Sequence, residues 1–158
     1  MALRTIRTIG DEILRRKSKP VTDVTSRICE LLDDMRDIIA DAQGLGLAAP
    51  QVGVLKRICI VNDYDQKTEK SKYIEMINPE ILSVSGSQTK EEGCLSFPGK
   101  SGIVERPLNV TVKYYDRKGK PHTFGAKDLI AVAVCHEVDH LDGILYVDKV
   151  IEMCPDGE

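Results

Sequence analysis

The chain has 158 residues, 42% of them hydrophobic and 30% charged, and this balance is typical of a globular protein rather than a disordered or membrane-spanning one. Lys and Arg number 22 against 25 Asp and Glu, a net charge of -3, so no basic excess is available for a run of phosphates and we expect no direct nucleic-acid partner. Without a recognisable secretory leader or an apolar run of about 20 residues, the sequence predicts one cytoplasmic domain over residues 1–158 with no membrane partner.

The first predicted element is a helix within TSRICELLDDMRDIIADAQG, residues 25–44. Its apolar residues recur at spacings of three and four, the stripe of a helix that packs on a core: Ile28, Leu31, Leu32, Met35, Ile38 and Ile39. Gly44 is expected to end it. The next stretch, GLGLAAPQVG at 44–53, is rich in glycine and contains a proline, which predicts a shaped loop whose backbone can approach a ligand closely.

Strands are predicted through the middle of the chain. RICIVN at 57–62 and YIEMINPEILSVSG at 73–86 are rich in β-branched and aromatic residues, and Pro79 marks an edge or a bend. Residues 104–125 read as a hairpin, because Gly119 supplies the positive φ that such a turn needs. The order of a helix, then strands, then a final helix predicts an α+β fold.

The final predicted helix runs from Asp128 as N-cap to Gly143 and contains HEVDH, with two of the three histidines of the chain. Residues four apart lie on one helix face about 6 Å apart along the axis, so His136 and His140 can present their imidazoles to one metal ion. Glu137 can lean into the same cleft as a general base for water. The alternative, a polar stripe on an ordinary amphipathic helix, stays open on this pattern alone.

A catalytic metal site needs a third protein ligand and one open position. Five cysteines, an odd number without an export signal, favour free thiols or a metal ligand over disulfides. Cys94 is the best candidate, because it lies between a glycine and a Pro-Gly turn. Cys29 and Cys59 fall in a helix and a strand, where a buried thiol is the default. Cys135 adjoins His136, but consecutive helical residues point roughly 100° apart.

Three segments together resemble the three motifs of the peptide deformylases, in the same order and at similar separation. They are GLGLAAPQ at 44–51, EGCLS at 92–96 and HEVDHLDG at 136–143. The resemblance implies an enzyme that removes the formyl group from the N-terminal formylmethionine of nascent polypeptides and releases formate. It also fits small mixed antiparallel sheets packed around the HExxH helix in the C-terminal half, with a further helix near the N-terminus.

The resemblance further implies roles for individual residues. One divalent ion, typically Fe2+ in this family and replaceable by Zn2+, Ni2+ or Co2+ in purified protein, would have three protein ligands: Cys94, His136 and His140. Glu137 would be the general acid and base. The Gln51 side chain and the backbone N–H of Leu95 would bind the developing oxyanion. The backbone of Gly46 would form hydrogen bonds with the substrate chain.

A pocket for the methionine side chain is predicted on the face of the last helix that precedes His136. Counting back from that histidine gives an apolar wall of Leu129, Val132 and Ala133, with Leu45 as a further wall. The alternative, that this face only packs against the sheet, stays open.

Two features depart from the family pattern. Cys135 stands where the family usually has glutamine, which puts the usual hydrogen bonding around the ligands in doubt. The chain also stops soon after VIEMCPDGE, without the long basic C-terminal helix that docks some members on the ribosome. We therefore expect the ribosome nearby but not bound through such a helix. His122 is expected at the surface, and the family pattern implies that Glu92 pairs with Arg106 across the loop that carries Cys94.

Two rival functions share the HExxH spacing. A zinc metallopeptidase would usually take a further His or Glu downstream, and only about fifteen residues follow Gly143. A structural zinc module would need a fourth ligand, and Cys135 is expected to point away. Neither rival accounts for GLGLAAPQ.

Overall fold

A computed structural model describes residues 4–155. Within this range it has two α-helices, α1 (Ser26–Ala42) and α2 (Leu129–Leu141), and the strands β1 (Gly46–Ala48), β2 (Ile58–Asn62), β3 (Tyr73–Ser85), β4 (Gln88–Gly93), β5 (Ser101–Arg106), β6 (Asn109–Tyr115), β7 (Pro121–Lys127) and β8 (Val150–Met153). Short 3-10 helices cover Glu12–Arg15, Ala49–Val52 and Tyr146–Asp148. The predicted α+β class is confirmed.

The strands form two antiparallel sheets, one with the order β1-β2-β3-β6-β7 and one with the order β4-β5-β8. All residues of β2 are buried, because its two faces are covered by different helices. Cys59 and Val61 pack in the cluster that contains α2, whereas Ile58 and Ile60 pack in the cluster that contains α1. This alternation follows from the two-residue period of a strand.

Helix α1 forms where the apolar stripe predicts it. The Thr25 hydroxyl caps it by accepting a hydrogen bond from the backbone N–H of Ile28 at 3.4 Å. Its end differs slightly from the prediction, because Gln43 and not Gly44 adopts the left-handed conformation, with φ of 53°. The N–H of Gly44 then donates to the carbonyl of Ile39.

The prediction of a shaped loop without regular structure over 44–53 is wrong. This segment holds β1 and a 3-10 turn, because Leu47 and Ala48 are fully buried and pair in register with Ile60 and Cys59 of β2. Gly53, which ends the 3-10 turn, has a positive φ of 86°.

The predicted hairpin over 104–125 is confirmed except at its start. β6 and β7 pair across a turn in which Gly119 has φ of 81°. Residues 104–106, which were also expected in the hairpin, belong instead to β5 and pair with β4. In β3, the predicted bend at Pro79 coincides with a shift of register between Ile77 and Glu80.

Helix α2 is almost wholly buried and packs against β1, β2, β6 and β7. Asp128 occupies the N-cap position as predicted, but its side chain makes no capping hydrogen bond and its φ is 58°. Gly143, two residues past the helix, has φ of 73° and lies against the backbone of Arg15. None of the helices within residues 4–155 combines the length and apolarity that a membrane crossing requires.

Candidate active site

A cleft of about 790 Å³ opens between α2, β1 and the segment that follows β4. The predicted pocket residues all line it, at two different depths. Val132 and Ala133 are buried in its wall, whereas Leu45 and Leu129 are about 40% exposed at its rim. The wall that was predicted from helical spacing therefore faces an open cleft rather than only the sheet.

Three potential metal ligands converge at this cleft. The sulfur of Cys94 and one ring nitrogen each of His136 and His140 all lie within 4.8 Å of one another. The Cys94 Sγ is 3.4 Å from Nε2 of His140. Spacing along α2 brings the two histidines to one face, and the turn after β4 brings the thiol to them. Cys135, the residue before His136, is buried in the core and is not part of this group of potential ligands.

A buried ion cluster holds His136 in place. The carboxylate of Glu92 accepts a hydrogen bond from Nδ1 of His136 at 2.9 Å, which leaves Nε2 free to bind a metal. Arg106 donates to both oxygens of Glu92, at 2.8 and 2.9 Å, and to Asp139 at 2.7 Å. Burial alone would raise the pKa of Glu92, but hydrogen bonds from His136 and Arg106 lower it to about 2.

Glu137 lies beside the three ligands and is buried. Burial raises its pKa to about 7, which is the range of a proton carrier at neutral pH. Its Oε1 has no hydrogen-bond partner among the described residues. A side chain on Gly46 would come within 2.7 Å of its Oε2, so glycine is required there to let Glu137 approach β1.

Burial, together with the neighbouring His136, lowers the pKa of His140 to about 3. A neutral imidazole is the form that binds a metal ion. His136 differs, because burial alone would lower its pKa, but the neighbouring Glu137 and hydrogen bonds with adjacent side chains together raise it to about 10, so a metal ion there would replace a proton. The chemistry of the group suits a cation: one thiol, two imidazoles, and beside them a carboxylate oxygen without a hydrogen-bond partner among the described residues.

The Gln51 amide is held in one orientation. Its oxygen accepts a hydrogen bond from the N–H of Ala48 at 3.0 Å, so its NH2 group points toward the cleft. There Nε2 donates to the Ser96 hydroxyl at 3.1 Å and lies 3.4 Å from the sulfur of Cys94. Leu95, between the thiol and that serine, lines the same cleft.

Sequence reasoning missed two residues of this neighbourhood. Ser96 is fully buried and fixes Gln51, and its place in EGCLS, two residues after the cysteine, is the only available signal. The ring of Tyr146 stacks on His136, with centroids 6.0 Å apart and an interplanar angle of 22°. No local pattern indicates that contact, because Tyr146 follows the helix in a 3-10 turn. His122, in contrast, lies at the surface as predicted and pairs with Asp116.

Comparison with known proteins gives a consistent result. The family model for polypeptide deformylase matches residues 3–155. The peptide deformylase of Lachnoclostridium phytofermentans is 56% identical over 150 residues, which cover 95% of this chain and 90% of the relative. That of Caldicellulosiruptor bescii is 54% identical over 158 residues, covering 100% and 92%.

Solved structures agree with the sequence comparisons. The crystal structure of a peptide deformylase from Legionella pneumophila superposes with a TM-score of 0.87 at 43% identity, over 94% of this chain and 86% of that one. The peptide deformylase from Thermotoga maritima gives a TM-score of 0.88 at 34% identity, covering 95% and 99%.

Proposed function

The chain belongs to the peptide deformylase family and removes the N-terminal formyl group of nascent polypeptides, and we propose that Cys94, His136 and His140 hold the metal ion on which this activity depends. One observation carries the proposal: a sulfur and two imidazole nitrogens lie within 4.8 Å of one another at a cleft, with Glu137 beside them. Residues 1–158 act as one catalytic domain built around α2, the HExxH helix.

The ligand set favours a first-row transition metal. Imidazole and thiolate suit iron, zinc, cobalt and nickel better than magnesium or calcium, and three protein ligands leave a position open. Fe2+ is the proposed native ion. A divalent ion at such a site lowers the pKa of water toward ~7 and polarises a carbonyl oxygen.

The residues of the chain divide the remaining work. Glu137 takes a proton from the attacking water and returns it to the leaving amine, a role for which its pKa of about 7 is suited. As negative charge develops on the formyl oxygen, Nε2 of Gln51 and the backbone N–H of Leu95 donate hydrogen bonds to it. Because the Gln51 amide is already fixed by Ala48 and Ser96, it needs no reorientation during the reaction.

Substrate binding uses the edge strand and the apolar wall. The backbone of Gly46 forms hydrogen bonds with the peptide chain, and the methionine side chain occupies the pocket of Leu45, Leu129, Val132 and Ala133. The proposed place of action is the cytoplasm, near ribosomes that supply formylmethionyl peptides. This role requires no membrane and no docking helix.

The activity is tested by measuring formate release from formyl-Met-Ala-Ser with protein prepared without oxygen. We expect formate from this peptide and no cleavage of an internal peptide of the same length. Cleavage of the internal peptide would identify a metallopeptidase instead. The Glu137→Gln variant should lose about 100- to 10,000-fold in turnover, whereas Glu91→Gln, at the exposed rim of the same cleft, should keep most of it.

The metal site is tested by metal content rather than by activity. Cys94→Ser should bind much less iron per chain than the unchanged protein, and Cys29→Ser, which alters a thiol in α1, should bind as much.

In air, the iron form should lose activity faster than the nickel or cobalt form, because a ferrous thiolate is readily oxidised. Equal lifetimes in air and under nitrogen would contradict the proposed iron-thiolate site.

A further inference from the structure

A second cavity of about 1010 Å³ adjoins the active-site cleft. The two share Leu45, Leu129 and Ala133 in their linings, so they are continuous at the rim of the proposed methionine pocket. The second cavity extends over the loop at 62–72, between β2 and β3. We call it the lysine groove, because its lining contains Lys67, Lys70, Lys72, Lys90 and Lys127.

These lysines are all exposed, and none forms a salt bridge with any residue between 4 and 155. Three aspartates also line the groove: Asp63, Asp65 and Asp128. Asp65 already accepts a hydrogen bond from the backbone N–H of Lys67 at 2.9 Å. The groove therefore carries a surplus of positive charge in a chain whose net charge is -3.

The start of β1 lies between Glu137 and the lysine groove. Gly46, at one end of β1, lies against Glu137. The residue before it, Leu45, accepts a hydrogen bond from the backbone N–H of Asn62 at 2.7 Å, and Asn62 is where the groove begins. β1 is also an edge strand of its sheet, so an extended peptide can pair along it.

We infer that the lysine groove binds acidic side chains of the nascent polypeptide, from about the third residue onward, and so makes the enzyme prefer formylmethionyl peptides with Asp or Glu at those positions. An extended chain advances about 3.3 Å per residue, so a few residues beyond the methionine bring it from the shared rim into the groove. This inference rests on the proposed function of the adjoining cleft. A polyanion such as RNA is less well matched, because three aspartates interrupt the lysines and the chain is negative overall.

The test compares kcat/KM for formyl-Met-Ala-Ser followed by three glutamates, three serines or three lysines. We expect the glutamate peptide to exceed the lysine peptide by about threefold or more at low salt, because each exposed ion pair contributes little but several act together. The difference should appear in KM and shrink at high salt, where exposed charges are screened. Equal values for the two peptides would overturn the inference, while cleavage of the plain tripeptide would still support the deformylase activity.

Charge reversal on the loop identifies the residues responsible. The variant K67E/K70E/K72E should invert the ratio of the glutamate to the lysine peptide. The control K17E/K118E/K120E changes net charge equally at exposed lysines outside the groove, and it should keep the original ratio. A ratio that moves equally in both variants would overturn the inference. If the ratio is unaffected and a short oligouridylate instead inhibits cleavage through these lysines, the groove is a nucleic-acid surface and the peptide assignment is wrong.

Discussion

Arg106 and Arg117 each bind two carboxylates from other parts of the chain, but the first lies behind the proposed metal ligands and the second near the surface. The side chain of Arg106 is 2% exposed and pairs with Glu92 and Asp139. The side chain of Arg117 is 30% exposed. Arg106 and Glu92 are buried and depend on each other, because water cannot replace either partner. Asp139, in contrast, is partly exposed and also pairs with Lys149 at 3.0 Å.

The surface cluster is arranged so that each charge has an alternative. Arg117 donates to both oxygens of Glu75, at 2.8 and 2.6 Å, and to Asp33 at 2.8 Å. Glu75 also accepts a hydrogen bond from Arg36 at 3.5 Å, and the side chain of Asp33 is 63% exposed to water. The same pairing chemistry therefore positions a proposed metal ligand in one place and contributes little to stability in the other.

The largest expected effect comes from Arg106→Leu. It leaves the buried carboxylate of Glu92 without its arginine, while the partly exposed Asp139 keeps Lys149 at 3.0 Å, and breaking a buried pair as at Glu92 costs about 3–5 kcal/mol of unfolding free energy. Urea unfolding of the metal-free protein measures this loss directly. A loss below about 1 kcal/mol would show that water reaches Glu92 and that the two clusters do not differ.

Gln51→Ala should affect turnover rather than folding. Removing one oxyanion donor typically costs about 100- to 1,000-fold in kcat, equivalent to about 2.7–4 kcal/mol. Ser96→Ala is the matched control, because it removes the hydroxyl that Nε2 contacts but leaves the amide itself and its bond to Ala48. Steady-state kinetics should show a much smaller loss for the serine variant. Near-normal turnover of Gln51→Ala would remove this residue from the mechanism.

Glu92→Gln should weaken metal binding by about 10- to 100-fold, because the neutral amide supports His136 less well than a carboxylate. Competition with a chelator measures the dissociation constant. Asp33→Asn, in the exposed cluster, is the control and should leave it unchanged. If both variants bind the metal as tightly as the unchanged protein, the buried cluster does not support the ligand.

The same glutamate should make stability depend on acid. The pKa of Glu92 is lowered to about 2 in the folded protein from an ordinary value of 4.5. Its contribution is therefore fully present above pH 4.5 and is lost as the pH falls toward 2. Unfolding of metal-free protein at several pH values should show this slope, and Glu92→Gln should reduce it.

Local patterns predicted the parts of the site that lie close in sequence. His136 and His140 lie four residues apart in one helix, so their common face follows from helical spacing, and Glu137 between them can lean into the same cleft. Cys94 needed its turn residues and the resemblance to a family, because nothing local fixes its distance from α2. The contact of Arg106 with Asp139 joins β5 to α2, across 33 positions, and no periodicity in either segment indicates it.

The missed strands have a physical explanation. In β4, Gln88–Gly93, the only buried residue is Glu92, so the usual alternation of apolar and polar residues is absent. In β8, Val150–Met153, three of the four residues are exposed. Both strands are defined by pairing with β5, which is tertiary information that their own composition does not contain.

The smallest expected effect is that of Arg117→Leu, which makes the same substitution as Arg106→Leu in the exposed cluster. Glu75 keeps Arg36 as a partner and Asp33 keeps water, so we expect a loss of about 1 kcal/mol or less in urea unfolding. Metal content and turnover should not change, since Arg117 lies in the β6–β7 turn and does not line the active-site cleft. A loss as large as that of Arg106→Leu would mean that the bidentate contact with Glu75, rather than burial, determines what an arginine contributes in this fold.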